Sequence, residues 1–79
     1  MKTFFVQIKC ELGKTYDVAD QLVHRSIASE IYSTAGHFDL IAKFHVNDSV
    51  EIGQFIAENV QSLNNIRDTE TIVAYRAFS

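Results

Sequence analysis

From Thr3 to Cys10 the chain alternates strictly: Phe4, Val6, Ile8 and Cys10 interleave with Thr3, Phe5, Gln7 and Lys9. A period of two places one apolar set on a single face of a strand, and no helix accommodates it. The pattern then changes period along the chain. After Gly13, Tyr16, Ala19, Leu22 and Val23 recur at helical spacing, with Asp17, Asp20, Gln21 and Arg25 opposite. Thr15 is the expected N-cap, with Asp17 in the first turn suiting the helix dipole. Residues 27–35, carrying Ile27, Ile31, Tyr32 and Thr34, read as a second strand. Gly36-His37 breaks it, and Phe38, Leu40, Ala42, Phe44 and Val46 then line one face of a third strand. The short gap makes these two strands a hairpin.

Asp48-Ser49-Val50-Glu51 has the form of a capping box with Asp48 as the cap. A helical stripe of Ile52, Phe55, Ile56, Val60 and Leu63 predicts a second helix to about residue 63. A last strand is expected over residues 66–78, with Thr69, Thr71, Val73 and Tyr75 on one face. The order βαββαβ predicts an α+β fold of ferredoxin-like type. It is a four-stranded antiparallel sheet with two helices on one face, associating as a dimeric α-β plait.

That arrangement leaves one sheet face open, carrying Phe5, Ile41, Ile72 and Phe78 beside Gln7, Lys9, Lys43, His45 and Arg76. An apolar surface of this kind is expected to be covered by a partner or a ligand. Length gives the same expectation. The 79 residues form a single domain, and a chain this short buries only about 60% of the surface its unfolded form exposes. One cysteine excludes an internal disulfide, and no Cys/His spacing suits zinc, so association is the remaining source of stability. The first residues break to Gln7 and Lys9 too soon for a signal peptide, and no run approaches the length of a membrane span. A reducing, cytoplasmic setting is expected. Net charge is −3 and the seven Lys/Arg are scattered, a poor basis for binding nucleic acid directly.

Two segments carry a family likeness. Ala35-Gly36-His37-Phe38-Asp39-Leu40 resembles the small-Gly-x-aromatic-Asp-aliphatic turn of the Lrp/AsnC (feast/famine) effector-binding domain. Asp68-Thr69-Glu70-Thr71-Ile72-Val73 resembles that domain's Thr-x-Thr strand. With Met1 immediately ahead of the first strand, the likeness is to a stand-alone form without the helix-turn-helix half. The resemblance implies a sheet-to-sheet dimer, a ring of dimers and a small effector, usually an amino acid, held where dimers meet. Such a domain either buffers or reports its ligand or co-assembles with full-length regulators, and the scattered charge and absence of a long apolar run predict no direct contact with DNA or membrane.

Carried onto this sequence, the expected ligand-binding residues are Gly36, His37, Phe38, Asp39, Thr69, Thr71, Ile72, Val73 and Ala74. Gly36 offers positive φ and exposed amides for a ligand carboxylate or is an ordinary hairpin glycine. Asp39 offers either a partner for an α-ammonium group or an Asx brace for the turn. Thr69 and Thr71 offer two hydroxyls on one face or plain β-propensity, while Ile72, Val73 and Ala74 match positions that affect effector response in the family or serve as core and interface. His37 departs from the family's polar or acidic residue at that position; it either brings titration near neutrality or is merely solvated. No metal and no cofactor is expected, and Cys10 reads as a small buried hydrophobe.

Two other functions compete with effector binding. One is a dimeric ferredoxin-like enzyme such as a cofactor-independent monooxygenase, drawing on His37, His45 and Tyr75. The other is a structural partner whose ligand site has decayed. No base–nucleophile pair or cofactor fingerprint supports an enzyme, so the expected function is a non-catalytic, ligand-binding regulatory domain.

Overall fold

The computed structural model describes residues 1–79, with β1 at Lys2–Cys10, α1 at Thr15–Arg25, β2 at Glu30–Ser33, β3 at Leu40–Val46, α2 at Ile52–Asn59 and β4 at Ile66–Ala74. The four strands form one antiparallel sheet in the order β2-β3-β1-β4. This is the ferredoxin-like βαββαβ arrangement that the alternating periods predict.

Period two on β1 and β3 sets up the core. Phe4, Val6, Ile8 and Cys10 of β1, with Leu40, Ala42, Phe44 and Val46 of β3, meet Val18 and Leu22 of α1 and Ile56 of α2. Phe4 and Phe44 stack at 5.1 Å across the strand pair, and Phe55 packs edge-on against both at 5.8 and 5.6 Å. Offset and edge-on ring pairs stabilise beyond the area they bury. The whole core is nevertheless only 13 residues, a modest basis for stability in an isolated chain.

Several boundaries differ from the sequence-based expectation. On α1 the buried residues are Val18 and Leu22, with Ala19 packed beside them; Tyr16 and Val23 are 83% and 60% exposed. Thr15 is the first helical residue rather than the cap, and Lys14 occupies the cap position with no side-chain bond. The cap of α2 is Glu51, whose carboxylate accepts the Gly53 and Gln54 N–H groups at 3.1 and 2.8 Å. Asp48 instead pairs with the N-terminal amine at 2.9 Å. The amine holds the Asp48 carboxyl below its usual range, first by hydrogen bonding and then by charge.

The helix α2 stops at Asn59, yet Val60 and Leu63 remain buried through the turns that follow, so the apolar stripe outlasts the helix. Similarly, Ile27 and Ala28 pack on the core from outside β2. β4 ends at Ala74, which leaves Tyr75 and Phe78 beyond the sheet at 98% and 90% exposure.

Coverage of the sheet is uneven. The register pairs Phe4 with Val73, Val6 with Thr71 and Ile8 with Thr69, placing these β4 residues on the helix side. Thr71 and Val73 are nonetheless exposed. Neither helix shields this outer part of β4.

Candidate functional site: the β2–β3 turn and the bulged start of β4

The connection between β2 and β3 is held by a short set of bonds. The Thr34 N–H donates to the Asp39 carbonyl at 2.9 Å, and the Thr34 hydroxyl donates to the Phe38 carbonyl at 2.9 Å. Gly36 has φ +116°, a conformation that a side chain strains to adopt. The Asp39 N–H donates to the Ile8 carbonyl at 2.9 Å, while Asp39 Oδ2 accepts the Cys10 N–H at 2.8 Å. The aspartate thus fastens the turn to β1, a role beyond the two its position in the sequence suggests. One oxygen, Oδ1, remains for another partner.

Cys10 lies beneath this bond, and burial pushes its thiol up, reinforced by the Asp39 charge, with the Thr15 hydroxyl and Lys9 acting the other way. A thiol so placed behaves as core rather than as a nucleophile.

Opposite the turn, the register between β1 and β4 slips. Lys9 pairs with Asp68 but Cys10 pairs with Ile66, so Arg67 is an extra residue on β4. Bulges of this kind re-aim a side chain and occur often beside functional sites. Here the bulge and the turn enclose a groove of about 400 Å³ lined by Lys9, His37, Phe38, Arg67 and Asp68. A second hollow of about 310 Å³ adjoins it, sharing Arg67 and Asp68 and adding Gln61, Ile66 and Thr69. The His37 and Phe38 rings meet edge to face at 6.2 Å.

Of the nine residues expected from sequence, the groove brings in His37 and Phe38, with Gly36 and Asp39 shaping the turn and Thr69 lining the adjoining hollow. The Thr69 hydroxyl already accepts a bond from Gln61 Nε2 at 2.9 Å. Thr71 and Val73 face the helix side, whereas Ile72 and Ala74 face the open side opposite Phe5 and Thr3. From the Ile8–Thr69 pair to the Thr3–Ala74 pair is five residues of strand, about 17 Å at 3.3–3.4 Å per residue. Ala74 therefore does not reach the turn within one chain. Sequence reasoning does not find Lys9, Arg67 and Asp68. Their only signal is a Lys and an Arg-Asp pair at the ends of two strands, and the slip that joins them is invisible without the register.

The open face carries two further hollows. One, about 340 Å³, is lined by Phe5, Glu30, Tyr32, Ile41 and Lys43; the other, about 360 Å³, includes His45, Tyr75 and Arg76. The Tyr32 hydroxyl donates to Glu30 Oε1 at 2.5 Å and Lys43 Nζ lies 3.4 Å from Oε2. The hydroxyl bond first, and Lys43 second, hold the Glu30 carboxyl below its usual range. His45 bonds Thr3 Oγ1 at 2.9 Å at one end of β3, while His37 lies in the turn before the other end. His45 and Tyr75 therefore share one hollow, but His37 lines a different one, so the three residues considered for catalysis are not assembled into one site. No three His, Cys, Asp or Glu side chains form a group able to hold a metal, and no helix is long and apolar enough to cross a membrane.

The four-stranded ferredoxin-like sandwich places the chain among small α+β domains of βαββαβ order. The Lrp/AsnC ligand binding domain model matches residues 3–79, and the chain belongs to that family. It is similar to the HTH-type transcriptional regulator FL11 of Pyrococcus furiosus, with 31% identity over 91% of this chain and 47% of the relative. The FL11 protein of Pyrococcus abyssi is 29% identical over the same shares. The chain thus spans about half the length of these curated relatives. Among solved structures, TTHA0845 from Thermus thermophilus superposes with a TM-score of 0.88 at 28% identity, covering 100% of this chain and 99% of that one. A Neisseria meningitidis transcriptional regulator solved as its L-Met complex superposes with a TM-score of 0.85 at 10% identity, covering 99% of this chain and 52% of that one. The likeness to the Neisseria protein is one of fold.

Proposed function

We propose that this domain binds a small effector, an amino acid, and regulates transcription through association rather than by touching DNA itself. The observation that carries the reading is the groove between the β2–β3 turn and the β4 bulge, rigidly fastened by the Asp39–Cys10 bond. A ligand site needs such prior ordering, because any freedom left in the turn is lost on binding. Gly36, His37, Phe38 and Asp39 supply the turn side and Thr69 the strand side. Thr71, Ile72, Val73 and Ala74 join a ligand site only when a neighbouring copy brings its own β4 to the turn.

The half-buried Phe5 and Ile41 and the 46% exposed Ile72 on the open face support sheet-to-sheet pairing, with rings of dimers following from the family. The chain acts as a single domain in the cytoplasm without catalysis, and full-length Lrp/AsnC regulators are its natural partners. With seven Lys/Arg against ten Asp/Glu and no basic cluster, it has little attraction for phosphate backbones. Native mass spectrometry to establish the subunit count, followed by calorimetric titration with the twenty amino acids, tests the reading. Binding by the oligomer to at least one amino acid is expected. An oligomer that gives no heat with any of them refutes it.

A further inference from the structure

We infer that the groove between the β2–β3 turn and the β4 bulge selects an acidic amino acid, an α-amino dicarboxylate such as glutamate or aspartate. The inference rests on the effector-binding reading above and goes further by naming the ligand class.

The charges lining the groove carry the argument. Two permanent cations, Lys9 and Arg67, line it together with one carboxylate, Asp68. Neither cation takes part in any of the chain's three ion pairs, which are Met1–Asp48, His24–Asp20 and Lys43–Glu30. Asp68 uses Oδ1 to accept the Thr69 N–H at 2.8 Å, leaving Oδ2 for a donor. Asp39 is held by Cys10, and Glu70, next along the same face of β4, does not line the groove. Two cations and one anion are the mirror of two carboxylates and one ammonium. A neutral zwitterion would satisfy Asp68 and one cation only, leaving the other without a partner.

Geometry supports the same pairing. Lys9 and Asp68 are directly opposed across β1 and β4, and the bulge places Arg67 beside them as the one residue without a cross-strand partner. A guanidinium there presents a planar fork suited to a carboxylate. Lys9 serves as a point charge for the second carboxylate, and Asp68 Oδ2 accepts from the ammonium. His37 and Phe38 form the wall from the turn side, against which the short methylene chain of the ligand lies.

Calorimetric titration of the intact oligomer with L-glutamate, L-aspartate, L-glutamine, L-leucine and glutarate tests this directly. Glutamate or aspartate is expected to bind at least about tenfold tighter than glutamine, the same size with one charge removed, which is the worth of one charge-assisted bond. Glutarate, lacking the ammonium, is expected to lose a similar factor. Arg67→Gln and Lys9→Gln each change an exposed or half-exposed side chain, and either is expected to erase the preference for glutamate over glutamine. Glutamine or leucine binding as tightly as glutamate overturns the ligand class while leaving amino-acid binding intact. Equal binding of glutarate overturns the role of Asp68. Silence with glutamate and aspartate overturns this inference alone; silence extended to all twenty amino acids in the titration above removes the reading beneath it as well.

Discussion

Replacing Asp39 by alanine removes the acceptor from the Cys10 N–H while leaving the donor where it is, beside a residue only 3% exposed. The lost bond is short and its acceptor is charged, and a buried donor is left without a partner. Together these cost about 2 kcal/mol, within the range of roughly 1.5–3 for hydrogen bonds to charged groups. For a chain of this size the urea dependence of stability is about 1 kcal/mol per molar, so the unfolding midpoint falls by about 2 M. Asp39→Asn keeps an oxygen acceptor without the charge and is expected to lose about half as much. The measurement is urea unfolding followed by circular dichroism, at one fixed protein concentration because association adds to apparent stability. An alanine variant within about 0.5 kcal/mol of the parent, or an asparagine variant no better than alanine, would show that the turn is not held through this bond.

Three other perturbations follow from the same structure. Phe4→Ala removes the ring that stacks on Phe44 and meets the edge of Phe55; a loss of about 4 kcal/mol is expected in the same assay, enough to unfold most of a marginal domain. Glu51→Ala removes the carboxylate that caps α2 at two N–H groups and is expected to cost about 1 kcal/mol, whereas Asp48→Ala leaves the helix N-terminus unaffected by hydrogen exchange. Glu30 has a lower carboxyl pKa folded than unfolded, so its contribution is complete above the ordinary carboxylate range and disappears as pH falls through the folded value. Glu30→Gln is therefore expected to lower stability slightly at neutral pH, leave it unchanged below the folded value, and so shallow the acid limb of a stability–pH curve.

How far the sequence can be read depends on whether a signal is local. Alternation on β1 and β3 is a property of neighbouring residues, and by itself it assigns Phe4, Val6, Ile8, Leu40, Ala42 and Phe44 to the buried face. Element ends are harder. Ile27, Ala28, Val60 and Leu63 are apolar because they touch the core, and that says nothing about whether their backbone is strand, helix or turn. The α2 cap is misplaced for a related reason: Asp48 is the better capping residue type, but the helix begins at Ile52, which puts Glu51 in the cap position and leaves Asp48 to the N-terminal amine. On α1, helical spacing identifies a stripe but not which side of it faces the sheet, so Tyr16 and Val23 are expected inside and lie outside.

In the site, Gly36 is legible because only a few turns need positive φ and glycine meets that need without strain. The Asp39–Cys10 bond, 29 residues apart in sequence, is not legible. Nor is the company of Lys9, Arg67 and Asp68. A one-residue slip between strands separated by most of the chain leaves no mark on either strand's composition.

The bareness of β4 has a kinetic consequence. The strand is bonded on one side only, to β1, and Ile72 and Val73, on its two opposite faces, are 46% and 44% exposed. Amide groups there have little packing to break before they meet water, so in an isolated chain they exchange with solvent sooner than those of β1 or β3. Anything that settles on either face must slow them. The exchange lifetime of the 70–74 segment is thus a clock set by occupancy: read at increasing protein concentration, it reports when a neighbour has arrived.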